Sequence, residues 1–316
     1  MADPTRAFGS FNDYKTDVEP VLADANVLQK VVAAERNLRM PECIGLLHDI
    51  ARLLECAMVA SHGQNYHASI IGLAIKYQTL VDALRSASST HLQTSMEALK
   101  HLKLAFFCLQ KHECDDAKAL LKALPTLAAR SEEVASAHEK QVIAFWRDGM
   151  ARLNEVLTAN AHMSCAVRLA EEKPAHGCRA LAQLEMTITA LGRMKTCFED
   201  VRMFWAMFKE HCYKIAGPNK ISEASFMAVA QEDTDLLVEA MTKEWYRWLA
   251  LAKTNYTAMC GMNDVQTTVR RILSTLPNSA ESSLVKDLKS KLEENAALLQ
   301  AQIEEQRNAT VALYLL

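Results

Sequence analysis

The chain is predicted to be all-α: an elongated bundle of long antiparallel helices with coiled-coil-like packing. Three observations carry this prediction. Helix breakers are scarce, with nine Gly and seven Pro among 316 residues, and no Pro stands between Gln64 and Leu124 or between Thr126 and Lys173. Pro inside a helix removes a donor and clashes with the preceding turn. Uninterrupted stretches rich in Ala, Leu, Met, Lys and Glu therefore read as long helices. Apolar residues recur at steps of three and four over most of the chain, and no alternating strand pattern of convincing length competes with them. Residues 1–20 read as a loose polar arm and 21–316 as a single elongated helical-bundle domain.

The elements follow in order. Helical patterning begins near Pro20 and runs toward Arg39. Pro41 opens a segment whose Ile44, Leu47, Ile50, Leu54 and Met58 share one face, and His62-Gly63 ends it. Ile70, Leu73, Tyr77, Leu80 and Leu84 make the next stripe. The polar run Ser86 to Thr90 reads as a turn or a weak point, after which Leu99, Leu102, Phe106 and Leu109 resume the stripe. A third long segment spans about Asp115 to Ala161, with Pro125 as a kink. In 178–215, Leu181, Leu184, Ile188, Leu191, Met194, Phe198, Val201, Trp205, Phe208, Cys212 and Ile215 keep steps of three or four throughout. That period suits helices packed nearly parallel to one another. Leu237, Met241, Trp245, Trp248, Ala252, Asn255 and Met259 mark another helix. The last begins after Pro277, where Asn278 and Glu281 have capping-box spacing.

Composition narrows the function classes. Half the residues are hydrophobic and 6% are aromatic, so a large Ala- and Leu-filled core can form. The formal net charge is −3, with no basic excess to neutralise phosphates, so no nucleic-acid partner is expected. The opening residues lack an apolar signal core, and no run of 18 apolar residues occurs. Nine cysteines without an export signal suggest a reducing compartment and free thiols. A cytoplasmic location is the expectation, with release by a non-classical route as the alternative.

Catalytic and ligand motifs are weak. His162, Cys165, His176 and Cys178 are zinc-ligand types around the Pro174 turn, but their spacing matches no established structural zinc pattern. No His has a Glu three residues before it, as carboxylate-bridged metal bundles require. Neither a nucleophile elbow nor a phosphate-binding glycine loop is present. The expectation is a non-enzymatic protein with no cofactor, no metal and no small-molecule substrate.

Aromatic clusters stand out instead. Phe145-Trp146-Arg147, Phe204-Trp205 and Trp245-Tyr246-Arg247-Trp248 hold all four tryptophans. Neighbours on a helix point about 100° apart, so adjacent aromatics cannot all face one core. Trp146, Trp205, Phe208, Trp245 and Trp248 are the anchor candidates for a membrane or partner. The short apolar patches 70–75 and 104–109 are too short to span a bilayer, but could face one after rearrangement.

Long helices at heptad-like spacing without enzyme motifs resemble the cytolysin A and haemolysin BL family of α-helical pore-forming toxins. The likeness covers roughly residues 60–305 and centres on the 178–215 segment ending in Phe-Trp-x-x-Phe-x-x-His-Cys. It implies a soluble bundle that associates with membrane lipid or sister subunits. The connection from Ala166 to Gly177 is short and carries Arg168, Glu171, Glu172 and Lys173 where that family has an apolar tongue. Binding without insertion fits this departure. The alternative is an intracellular adaptor or scaffold that holds partner helices in a groove.

Overall fold

A computed structural model describes residues 11–35, 40–61, 66–111, 113–167, 175–216 and 234–275. Among these residues every regular element is an α-helix, so the fold is all-α. The helices are α1 (Phe11–Asp17), α2 (Glu19–Leu22), α3 (Ala25–Glu35), α4 (Met40–Ala60), α5 (His67–Gln110), α6 (Cys114–Leu121), α7 (Ala123–Val167), α8 (Ala175–Ala216) and α9 (Thr234–Thr275). The expected helix after Pro277 lies outside the described residues.

The chain divides into two compact units. The first comprises Met1–Gly45, Leu80–Ala144 and Arg193–Asp264; the second comprises Leu46–Thr79, Phe145–Gly192 and Val265–Leu316.

In the first unit, side-chain pairs fix the helix directions. Arg202 Nε lies 2.8 Å from Glu139 Oε2, and Lys209 pairs with Glu132. Seven residues forward along α8 are thus seven back along α7, and the two run antiparallel. On α5 and α9, Ser88 meets Met262 and Phe106 meets Trp245, which is again antiparallel. Trp205 and Phe208 of α8 both touch Trp248 of α9. Leu84, Leu92, Leu102, Trp205 and Trp248 are the large residues buried at the centre of this unit. Gly261 lets α9 approach α4 closely, since a Cβ there would sit 2.7 Å from Ile44 Cγ2.

In the second unit, Leu47, Ile50 and Met58 of α4 and Ile70, Leu73 and Tyr77 of α5 are buried. A buried phenol needs a hydrogen-bond partner. The Tyr77 hydroxyl donates to the Leu47 carbonyl, and its ring centroid lies 5.6 Å from that of Phe145. Lys76 Nζ reaches Asp148 Oδ2 at 2.6 Å, and a Cβ on Gly72 would meet Arg152, so α5 and α7 are antiparallel here.

Three expectations need correction. The polar run Ser86 to Thr90 is neither turn nor break, because α5 continues through it. Hydroxyls at its end and just beyond bond back to their own helix: Thr90 Oγ1 to Ser86 O at 3.1 Å, Thr94 Oγ1 to Thr90 O at 2.9 Å, Ser95 Oγ to His91 O at 2.8 Å. Each hydroxyl is satisfied one turn back, so the helix is not interrupted. The kink expected at Pro125 falls one turn earlier, at the single-residue break Lys122 between α6 and α7, and Pro125 itself occupies the first turn of α7, where an amide hydrogen has no intrahelical acceptor. The arm at 1–20 is not wholly loose: α1 forms, Tyr14 and Val18 are buried, and Tyr14 stacks on Tyr256 with centroids 4.0 Å apart. Asp24 then caps α3 by accepting from Asn26 N at 2.8 Å.

Candidate functional site

The stripe on α8 puts Leu191, Met194, Phe198, Val201, Trp205, Phe208 and Cys212 inward. Trp205 is 1% exposed and Trp248 is 0% exposed. Their centroids are 6.5 Å apart, and Phe208 presents an edge to Trp248 at 5.0 Å. His91 of α5 stacks on Trp205 at 4.9 Å with 13° between the planes. Trp205, Phe208 and Trp248 therefore form one aromatic core in the first unit, where no lipid or partner reaches them in this arrangement. Trp245 is half-buried on the same unit, edge-on to Phe106 at 6.5 Å. Trp146 is half-buried on the second unit. Side chains of His162, Cys165, His176 and Cys178 lie outside the described residues.

One end of the aromatic core carries charge. Glu244 of α9 is buried, and its Oε1 is met by His211 Nε2 at 2.7 Å and by the Arg247 guanidinium. Among the described residues Glu244 Oε2 and Trp248 Nε1 have no hydrogen-bond partner. Cys212 stands nearby. Burial first, and the Glu244 carboxylate second, push its thiol well above the ordinary range against the opposing pull of Arg247. A neutral, buried thiol is the reverse of an activated nucleophile.

Close to the aromatic core, Met40, Ser88, His91, His138 and Met262 help to line a cavity of about 20 Å³. Burial, with a further contribution from His138, pushes the His91 imidazole down to about 3.

The solvent side of α5 holds residues the anchor candidates did not include. Lys100, Lys103, Leu104, Phe107 and Lys111 are all exposed. At about 100° per residue they fall within an arc of about 100°. Leu104 is 43% and Phe107 52% exposed, while Ala105 and Leu109 face inward. Lys111 Nζ lies 4.3 Å from the centre of the Phe107 ring. No acidic side chain occurs between Lys100 and Lys111. The sequence signal was the apolar patch 104–109, which the structure splits between core and solvent. Among the described residues no helix is long and apolar enough to cross a membrane.

Comparison with protein-family models, curated proteins and solved structures finds no match to this chain.

Proposed function

We propose that the protein acts by association, docking the exposed face of α5 on an anionic membrane surface. The observation that carries this reading is the arc of three lysines around Leu104 and Phe107. Exposed apolar side chains flanked by cations suit the headgroup boundary: rings and aliphatic chains enter it while ammonium groups meet lipid phosphates. This reading keeps the membrane part of the resemblance to α-helical pore formers and requires no insertion. It moves the anchor role from Trp205, Phe208 and Trp248 to Leu104 and Phe107.

The test is co-sedimentation with vesicles of neutral phosphatidylcholine or of its mixture with phosphatidylserine. Binding is expected only to the anionic vesicles. It should weaken as salt rises through the screening range and fall at least tenfold in the Leu104→Ser/Phe107→Ser variant. Binding unchanged by that variant, or no binding at low salt, overturns the proposal.

A second reading rests on a different surface. Met203 and Met207, one turn apart on α8, are 52% and 71% exposed. Adaptable thioether side chains on a helix surface suit partner helices. An adaptor of this kind would bind protein with no dependence on lipid, and Met203→Lys/Met207→Lys would abolish the capture while leaving vesicle binding intact.

A further inference from the structure

We propose that Met40, His91, His138 and Met262 form a binding site for one soft monovalent metal ion of the Cu(I) class. The four side chains come from α4, α5, α7 and α9 of the first unit and line a single cavity of about 20 Å³. One water-sized sphere needs about 10–15 Å³, so the space suits a single atom and no larger ligand.

Hydrogen bonding leaves both imidazoles with a lone pair to give. His138 Nδ1 lies 2.6 Å from the Val134 carbonyl oxygen, to which it donates. That bond fixes the tautomer with the lone pair on Nε2, the usual way an outer hydrogen bond orients a metal-binding histidine. His91 is 3% exposed, and its Nδ1 is buried without a partner among the described residues. A desolvated nitrogen of this kind is costly unless something occupies it. The thioether of Met262 accepts a weak hydrogen bond from Ser88 Oγ at 3.7 Å.

The donor set selects the ion. None of the four donors is anionic, and the remaining lining among the described residues is Leu84, Ala87, Ser88, Ala135, Phe198 and Val201, with no carboxylate or thiol. A divalent ion would bring two uncompensated charges into an apolar enclosure, at severe desolvation cost. Thioether and imidazole together favour Cu(I) over hard ions, which take oxygen ligands. Among the described residues no group of three or more His, Cys, Asp or Glu side chains is placed to hold a metal. A site that draws on methionine sulfur is the arrangement these helices offer.

The experiment is anaerobic titration of Cu(I), supplied as its acetonitrile complex, into full-length protein carrying ¹³C-methyl methionine. Met40→Leu and Met262→Leu, which nearly conserve volume, assign two of the fourteen methyl signals. Those two are expected to shift together and to saturate at one ion. The double variant should take up one ion fewer than the native chain, which accounts for metal held by cysteine thiols. In His138→Gln the paired shift should disappear. Equal uptake by the native chain and the double variant overturns the proposal, and so does a paired shift produced equally by Zn(II).

Discussion

His91 is held face to face with Trp205, and the space around it accepts only the neutral ring. Its pKa is pushed down to about 3 from 6.5. His138 lines the same cavity. Below pH 6.5 the unfolded chain takes up a proton that the folded chain refuses. This contribution to stability is complete above pH 6.5 and is lost as pH falls toward 3, at up to about 1.4 kcal/mol per pH unit. For the metal-free protein, urea denaturation at pH 6.5 and 4.5 should differ by roughly 2–3 kcal/mol, and His91→Leu should flatten the difference. An unchanged pH slope in that variant would show that other groups govern acid stability. The ion pairs of Glu244 are a separate contribution. Arg247→Met would leave a buried carboxylate with His211 alone, and a loss of about 3 kcal/mol is expected from urea midpoints. Neither environment could be read in the sequence. His91 sits in a polar run, and Glu244 is adjacent to Trp245, so nothing in their neighbours marks them as buried. Burial there is set by which helices lie opposite.

Helix boundaries and helix faces were more legible than individual side chains. The stripe on α8 predicted its inward residues because a period of three and four leaves only one face apolar. Ser86 to Thr90 misled because hydroxyl composition resembles a loop, whereas the back-bonds of Thr90, Thr94 and Ser95 are compatible with helix. Two glycines test packing at this scale. Gly45 of α4 has nothing within 4 Å of an added Cβ, while Gly261 of α9 faces Ile44 at 2.7 Å. Replacing Gly by Ala within a helix gains about 0.5–1 kcal/mol where space allows. Gly45→Ala should therefore raise the thermal midpoint. Gly261→Ala should lower it, since α9 must move away from Ile44 and overpacking costs about 1–3 kcal/mol. A rise in both would show that the α4–α9 approach is slack.

For the whole molecule, the helix-rich composition was enough to predict an all-α fold, and two of the three aromatic clusters lie on the first unit. They did not separate core from surface: Trp205 and Trp248 are interior, and exposed apolar side chains include Leu104, Phe107, Met203 and Met207. An amphipathic pattern shows that a helix has an apolar side, but it does not show where the neighbours covering that side end. Thiol accessibility samples the fold broadly. Cys43, Cys56, Cys197 and Cys212 are buried, whereas Cys108 and Cys260 are partly exposed. Burial pushes the Cys56 thiol up to about 12, which suppresses its reactive thiolate at neutral pH. Brief alkylation of the native protein should label Cys260 and spare Cys56 and Cys212, with all three labelled in urea, as peptide mass spectrometry would show. Native labelling of Cys212 would mean that the Trp205–Trp248 core opens readily.

The hydroxyls of α5 have one more consequence. Thr94 and Ser95 are shielded from water, yet their hydrogen bonds are made to the turn behind them on the same helix. These two hydroxyls are therefore satisfied within their own helix. If α5 exchanges one set of neighbours for another, or for hydrocarbon, contacts between side chains are lost and regained, but these two hydroxyls keep their partners. The Thr90–Ser95 stretch can thus change surroundings with its own hydroxyl bonds intact, whereas Tyr77, Lys76 and Ser88 would first give up their bonds to Leu47, Asp148 and Met262.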